Sequence, residues 1–407
     1  MIIIKSNKEL QHVSSTAKPF KMIGKTMFGL EEILAEELRA IGATDVQPIN
    51  RAVAFMGTME TLYKANYCCR TALAILKPFA EFEANNEQEL YDNVFKIKWE
   101  QILDVDCTFL IESSTNSEIF THSYYAALKT KDAIVDRFKR MFGRRPTVDT
   151  ENADYKFNLH IHDNKVTLLM NSSGESLHKR GYRQAVGVAP INEVLAAGMI
   201  MLSGWKADTN FFDPMCGSGT ILIEAAMYAN NIPPQYYRKK FGFMKWKEFN
   251  NSEWKSVREK ADKQIREFEH EIWGCDIDAN VIEQAEKNLR FAKLHYDICL
   301  FPESFENQAP PEGPCMIITN PPYGERIAVD DLNALYTSIG DQFKSYGDDR
   351  TAWLITSDFR AMKSIGLRPS RKIELYNGSL ECRFLKFDLY NGSKKDKYAT
   401  EATTDGD

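Results

Sequence analysis

Residues 320–326 read Asn-Pro-Pro-Tyr-Gly-Glu-Arg and directly follow the apolar run Met316-Ile317-Ile318-Thr319. An amino group on a nucleobase is a poor nucleophile, because its lone pair is delocalised into the ring. A site that alkylates it must accept hydrogen bonds from the amine and point the lone pair at an electrophile. Asn320 offers a side-chain carbonyl for this and Pro321 a backbone carbonyl. Pro321 and Pro322 have no N–H and a fixed φ, so the turn is stiff. Tyr323 offers a flat face for an extruded base. Alone, the segment reads equally as a proline-rich turn after a buried strand. Its weight comes from what accompanies it.

A second motif lies about a hundred residues upstream. Asn210-Phe211-Phe212-Asp213-Pro214-Met215-Cys216-Gly217-Ser218-Gly219-Thr220, followed by Ile221 to Ala226, has the pattern strand, glycine turn, helix. Gly217 and Gly219 let the backbone pass close to a ligand, and Thr220 begins a helix whose free N–H groups face it. There is no Gly-x-x-x-x-Gly-Lys, so a nucleotide-like ligand fits and a triphosphate does not. A third element, Ile272-Trp273-Gly274-Cys275-Asp276-Ile277-Asp278, is a short strand ending in acids. An acid at the end of the second strand of a doubly wound sheet binds ribose hydroxyls. Gly219 and Asp276 are 57 positions apart, against about 20 in the usual arrangement, so an insertion separates them.

Together, Asp-Pro-Met-Cys-Gly-Ser-Gly-Thr and Asn-Pro-Pro-Tyr-Gly-Glu-Arg resemble the class I S-adenosylmethionine-dependent methyltransferases that act on exocyclic amines. More narrowly, the chain resembles the THUMP-domain enzymes that methylate the 2-amino group of guanine in 23S ribosomal RNA. Asn171 to Arg183 is similar to that family's junction between THUMP and catalytic domains. Ala189-Pro190-Ile191-Asn192-Glu193 is similar to its cofactor-flanking helix start. The resemblance covers about residues 22–390. It implies an α/β fold with a Rossmann-like methyltransferase domain carrying a C-terminal antiparallel hairpin, preceded by an α+β ferredoxin-like and THUMP region. The implied division is 1–70 ferredoxin-like, 71–172 THUMP and 173–392 catalytic with an insertion at 229–271, and the Lys/Thr/Glu/Asp-rich composition of 393–407 reads as a disordered tail. It also implies S-adenosylmethionine as cofactor, held by Asn192, Asp213, Met215, Cys216, Gly217, Gly219, Thr220, Asp276 and Asp278, with Asn320 to Tyr323 as the catalytic segment. One departure stands out. Where such enzymes place an Asp for the cofactor's adenine amine, this chain has Ser304 beside Phe305, with Glu303 as the other acceptor at hand. Relatives named for adenine methylation share Asn-Pro-Pro-Tyr, which serves adenine and guanine amines alike. Rival readings are therefore adenine methylation in DNA or RNA, guanine methylation in tRNA, and a catalytically silent RNA-binding or ribosome-assembly factor.

Length and composition set the frame. At 407 residues, 43% hydrophobic and 27% charged, the chain is that of a multi-domain soluble protein. Val194 to Trp205 is the longest apolar stretch and is too short to span a bilayer. Met1-Ile2-Ile3-Ile4-Lys5 lacks a signal-peptide pattern. The eight cysteines form no Cys-x-x-Cys, so a reduced cytoplasmic setting without a structural metal is expected.

The net charge of −6 gives little guidance on nucleic acid, because clustering decides. Seven Lys or Arg residues fall between Lys129 and Arg145 (Lys129, Lys131, Arg137, Lys139, Arg140, Arg144, Arg145), against Asp132 and Asp136. The spacing predicts an amphipathic helix burying Ala133, Ile134, Phe138 and Met141 or Phe142, with a positive outer face for RNA phosphates. Lys179, Arg180 and Arg183 add three charges at the junction. The insertion interleaves Arg238, Lys239, Lys240, Lys245 and Lys247 with Tyr236, Tyr237, Phe241, Phe243 and Trp246. Two readings stand for these rings: a stacking surface for bases, or anchors that hold the insertion on the core. Glu253 to Glu271 reads as an exposed helix. In the first third, Leu30, Ile33, Leu34, Leu38 and Ile41 mark a helix face ended by Gly42. Strands are expected at 46–49, 52–56, 108–112 and 165–170. Near the end, Asn377-Gly378 between Lys372–Tyr376 and Leu380–Tyr390 predicts a hairpin with a type I′ turn.

Overall fold

The computed structural model describes residues 18–183, 190–322, 329–348 and 350–390. Tyr323, Ala189 and the tail from 391 onward lie outside them. The amino-terminal half comprises β1 (Phe20–Lys25), α1 (Glu31–Ala40), β2 (Thr44–Ile49), β3 (Ala52–Gly57), α2 (Met59–Cys68), β4 (Ala74–Glu83), α3 (Glu87–Lys96), β5 (Thr108–Asn116), α4 (Ser123–Phe142), β6 (Thr147–Val148), β7 (Tyr155–His162) and β8 (Lys165–Asn171). These strands form one sheet in the order β2-β3-β1-β4-β8-β7-β5-β6. The ten-residue β4 pairs with β1 at its start and with β8 along most of its length, so the two expected lobes share a continuous sheet. The predicted face of α1 is the buried one: Leu30, Leu34 and Leu38 are fully enclosed. Gly42, at a φ of +91°, supplies the left-handed step that follows the helix.

Helix α4 buries Ala133, Ile134 and Phe138 as expected, but Met141 and Phe142 are about half exposed. Gly143, at a φ of +66°, ends the helix. Arg144 and Arg145 therefore belong to the following loop and not to a helical face.

The second half comprises α5 (Glu193–Ser203), β9 (Asn210–Asp213), α6 (Thr220–Ala229), α7 (Asn251–Asp262), β10 (Ile272–Cys275), α8 (Ala279–Phe291), β11 (Ile298–Phe301), β12 (Cys315–Thr319), α9 (Val329–Ser345), β13 (Arg350–Thr356), β14 (Arg371–Asn377) and β15 (Leu380–Asp388). The sheet order is β11-β10-β9-β12-β13-β15-β14. Strands β9 to β13 are parallel, and β15 runs antiparallel between β13 and β14. Strand order reverses between β9 and β12. In an open α/β sheet the crevice outside the carboxyl ends at this switch is where ligands bind. The terminal hairpin turns differently from the expected form. Asn377 is paired with Leu380, so Gly378 and Ser379 are the central residues. Gly378 has a φ of +66°, whereas Ser379 does not have a positive φ, which is the type II′ pattern.

The insertion is an anchor, and most of its rings are turned inward and closed to bases. Phe241, Phe243, Trp246 and Trp254 are buried. They pack on α2: Phe243 lies 4.8 Å from Tyr63, and Trp254 lies 5.5 Å from Tyr67, between ring centres. Tyr67 donates to Asp262 at 2.7 Å, and the Asn250 N–H donates to the Tyr63 hydroxyl at 3.1 Å. The charged stretch after 253 begins as α7, with Trp254 and Val257 on its buried face, and the helix ends at Asp262. Among the described residues no helix is long and apolar enough to cross a membrane.

Candidate active site

Strand β9 ends at Asp213, and the turn Pro214 to Gly219 leads into α6. Gly217 and Gly219 have φ values of +53° and +80°, in the region that glycine adopts without strain. They serve different needs. A Cβ on Gly219 would press to 3.3 Å on Ala285 and Leu289 of α8, whereas one on Gly217 would meet nothing within 4 Å. Gly219 permits close helix packing, and Gly217 faces the open crevice. The turn is tied to β10: the Cys216 N–H donates to the Cys275 carbonyl at 2.9 Å, and the Gly217 N–H to Asp276 Oδ2 at 3.0 Å. Asp276 Oδ1 accepts from the Asp278 N–H at 3.1 Å. Asp278 itself caps α8, accepting from the Asn280 N–H at 2.9 Å. Asp276 thus sits between turn and crevice with unused lone pairs, while Asp278 serves its own helix.

Asp213 is buried, and its carboxyl is pushed up to about 7 by that burial. The Met215 N–H and the nearby Thr319 hydroxyl pull it down, and the Asp276 charge adds to the rise. Thr319 closes β12, and Asn320 follows at the carboxyl end of that strand. Asn320 Oδ1 is buried and has no hydrogen-bond partner among the described residues. Pro321 is buried and Pro322 half-buried beside it. Desolvating a carbonyl oxygen without a partner is costly, so this acceptor is suited to a donor that arrives with a ligand. Asp213, Met215, Cys216, Gly217, Asp276 and Asn320 converge at the carboxyl ends of β9, β10 and β12.

Other expected positions fare differently. Asn192 caps α5, its side chain accepting from the Val194 N–H at 2.9 Å. Ser304 and Glu306 bond each other, and Glu303 accepts from Asn307 at 2.9 Å. Both Ser304 and Glu303 are engaged in a local turn. Phe305 is buried in the apolar cluster around Phe212 and Cys275, so its ring supports the strand ends from within the core.

The junction cations are largely structural, which corrects the expectation that they contact RNA. Arg180 has no exposed side chain and forms an ion pair with the equally buried Glu224 of α6 at 3.3 Å. It also donates to the carbonyls of Leu177 and Arg70, which leaves nothing for a phosphate. Arg183 pairs with Glu193 at 2.9 Å and donates to Thr220 Oγ1 and the Ile191 carbonyl, both at 3.1 Å. It clasps the starts of α5 and α6. On α4, Arg137 forms a two-pronged pair with Glu100, at 2.8 Å for each prong, and holds that carboxyl below its ordinary range. Lys131 pairs with Asp132, and Arg144 pairs with Asp106. Lys129 lies over the ring of Tyr125, and Lys179 pairs with Glu175. Arg145 is exposed. Lys156 of β7 is a residue that sequence reasoning passed over. It lies in a cleft of about 990 Å³ together with Lys239, Lys240 and the junction. Only the fold brings it there, since no local pattern distinguishes it. Among the described residues no His, Cys, Asp or Glu cluster could hold a metal ion.

With this geometry established, comparison with known proteins is decisive. Residues 180–386 match the RMKL-like methyltransferase domain, 84–171 the THUMP domain and 21–76 the RlmL ferredoxin-like domain. The chain belongs to the RMKL-like methyltransferase family. It is a THUMP-domain, S-adenosylmethionine-dependent RNA methyltransferase of that family. A Synechocystis protein, slr0064, provisionally named an RNA methyltransferase, is 36% identical over 93% of this chain and 98% of its own length. "Ribosomal RNA large subunit methyltransferase K/L" of Psychromonas ingrahamii is 39% identical over 88% of this chain and 48% of its own. The chain thus spans about half the length of the K/L relatives. Among solved structures, SMU.472, a provisionally assigned methyltransferase complexed with SAH, has a TM-score of 0.82 at 31% identity, covering 92% of this chain and 99% of its own. A possible methylase from Clostridium difficile 630 has a TM-score of 0.82 at 32% identity, covering 93% and 99%.

Proposed function

We propose that this enzyme transfers a methyl group to the 2-amino group of a guanine in 23S ribosomal RNA, working in the cytoplasm on the free RNA or an assembly intermediate. The observation that carries the chemistry is the buried Oδ1 of Asn320, which has no hydrogen-bond partner among the described residues. S-adenosylmethionine supplies an electrophilic methyl when bound. Asp276, the Gly217 turn and the buried Asp213 are the groups suited to hold it. Asn320 Oδ1 and the Pro321 carbonyl accept the two amine hydrogens and turn the nitrogen lone pair toward the methyl. Positioning and exclusion of water then provide most of the acceleration. A base stacked in a duplex cannot reach Asn320, so the target nucleotide is extruded. The choice of large-subunit ribosomal RNA is supported by the names of the K/L relatives, and the choice of guanine by the family resemblance of the sequence. An amide oxygen alone accepts equally from adenine, the base in the name of a Listeria monocytogenes structure, a "predicted N6-adenine-specific DNA methylase" with a TM-score of 0.81 at 29% identity. Nucleoside mass spectrometry of 23S RNA from a deletion strain, with and without the gene restored, tests the reading. Loss of 2-methylguanosine that returns on complementation supports it. An unchanged guanosine profile with loss of a methyladenosine replaces it with the adenine reading.

A further inference from the structure

The aromatic part of the insertion is consumed by anchoring, but two of its lysines are not. Lys239 and Lys240 are exposed and line the cleft that separates the insertion from the start of β7. Its walls come from residues 151–156, 173–183 and 237–245 together with Glu193, and its lining carries eight Lys or Arg residues against four acids. Three of those acids are already matched: Asp154 by Lys245 at 2.9 Å, Glu175 by Lys179 at 3.3 Å and Glu193 by Arg183 at 2.9 Å. Arg180 and Arg238 donate to backbone carbonyls of the junction. Lys156, Lys239 and Lys240 carry no ion pair among the described residues and remain for an outside anion. The cleft is thus positive on a chain whose net charge is −6. A second observation agrees: His178 on the same wall is held below the ordinary histidine range by burial, then by the charges of Lys179, Arg180, Arg183 and Arg238. Arg183 also lines the cleft and donates to Thr220 Oγ1 at the first residue of α6. The lining thus reaches from Lys156 on β7 of the first sheet to Arg183, which is tied to the helix that starts at the glycine turn.

We infer that this cleft binds the sugar-phosphate backbone of the substrate RNA, with phosphates on Lys156, Lys239 and Lys240, and guides the strand toward Asn320. The inference rests on the RNA-methyltransferase reading and adds the path of the strand. It also moves the principal electrostatic contact away from α4, most of whose cations are already spent on acids or rings.

The test compares the wild type, the Lys156→Ala/Lys239→Ala/Lys240→Ala variant and a control, Lys139→Ala/Arg140→Ala/Arg145→Ala, which removes equal charge from the end of α4 and the loop after it. Binding of a fluorescein-labelled oligouridylate and of a transcribed 23S fragment is followed at several salt concentrations. The cleft variant should lower the slope of log affinity against log salt by about two, at roughly 0.7 for each single-strand phosphate that is no longer neutralised. It should do so equally for both RNAs, because phosphate contacts carry no sequence information. The control should change the slope by less than half as much. S-adenosylmethionine affinity should be unchanged in both, which certifies folding. A wild-type slope in the cleft variant, or equal losses in cleft variant and control, overturns the path while leaving the RNA substrate in place. Absence of RNA binding by the wild type overturns the substrate reading itself and the path with it.

Discussion

Asn320 and Asp213 are neighbours at the switch point and share one property: each is a polar group that the fold has desolvated without fully satisfying. For Asn320 the consequence is catalytic. Asn320→Ala removes one aligned acceptor, and the rate of methyl transfer should fall by about two to four orders of magnitude, with S-adenosylmethionine affinity nearly unchanged by calorimetry. For Asp213 the consequence is a pH dependence. Its carboxyl is raised from 3.8 to about 7 in the folded chain, so the native state binds this proton more tightly than the unfolded state. Its contribution to stability is full below the unfolded value and is lost as pH rises through about 7. A cation placed beside Asp213 would favour ionisation. Binding of the cationic cofactor near pH 7 should therefore release a fraction of a proton, read as a dependence of calorimetric heat on buffer ionisation enthalpy. Asp213→Asn should abolish that release, and no release from the wild type would move the cofactor's charged end away from Asp213. The two motifs at this scale were legible because the glycine turn and the Asn-Pro-Pro segment are local. The state of Arg180 was not. Lys-Arg-Gly-Tyr-Arg looks like a basic surface, and only the long-range placement of Glu224 opposite Arg180 makes that guanidinium internal.

The turn after β9 owes its shape to elements distant in sequence. Asp276 at the end of β10 holds the Gly217 N–H, so the carboxylate both anchors the turn and faces the crevice. Asp276→Ala should weaken S-adenosylmethionine by about 1.5–3 kcal/mol, the range of a charged hydrogen bond. Asp278→Ala should instead cost about 1 kcal/mol of stability as a lost helix cap, with a smaller effect on the cofactor. Equal effects of the two on affinity would place the ribose contact elsewhere. The insertion shows why composition alone was ambiguous. Alternating rings and cations suit an RNA platform and a packed anchor alike, and only the tyrosines of α2 decide between them. Phe243→Ala should accordingly destabilise the protein by about 3–5 kcal/mol in denaturant unfolding, as truncation of a fully buried ring does. A folded Phe243→Ala variant of normal stability with impaired RNA binding would restore the platform reading. Element positions followed from hydrophobic spacing, as in α1. Element ends did not where they depended on one residue, such as Gly143 after α4 or the pairing of Asn377 that shifts the hairpin turn by one position.

Across the whole molecule, buried polar groups join the first sheet's lobe to the catalytic domain. Glu37 of α1 accepts from the N–H groups of Arg70 and Thr71 and from the Thr71 hydroxyl, and burial raises its carboxyl above the ordinary range. Arg70 donates to the carbonyls of Met227 and Ile232, beside α6. Arg180 donates to the Arg70 carbonyl and pairs with Glu224, which also accepts from the Tyr182 hydroxyl at 3.0 Å. With the insertion's aromatic anchor, this network holds the ferredoxin-like lobe and the cofactor helix in one arrangement, and the shared first sheet carries the THUMP domain with that lobe. Arg180→Met should destabilise the chain by about 3–5 kcal/mol, because Glu224 is left charged and buried. Arg180→Met combined with Glu224→Leu should recover much of that loss in urea unfolding. No recovery would mean that the pair itself is not the link. None of this network was legible in the sequence, whose positions 37, 70, 180 and 224 share no local pattern. One labelling reaction reads the methyl acceptor and the role of Asn320 together. The purified enzyme is incubated with 23S RNA from a deletion strain and S-adenosylmethionine bearing a deuterated methyl group, and the digested nucleosides are analysed by mass spectrometry. The wild type should yield deuterated 2-methylguanosine and Asn320→Ala at most a trace. Label on adenosine, or equal labelling by the two proteins, would contradict the proposed chemistry.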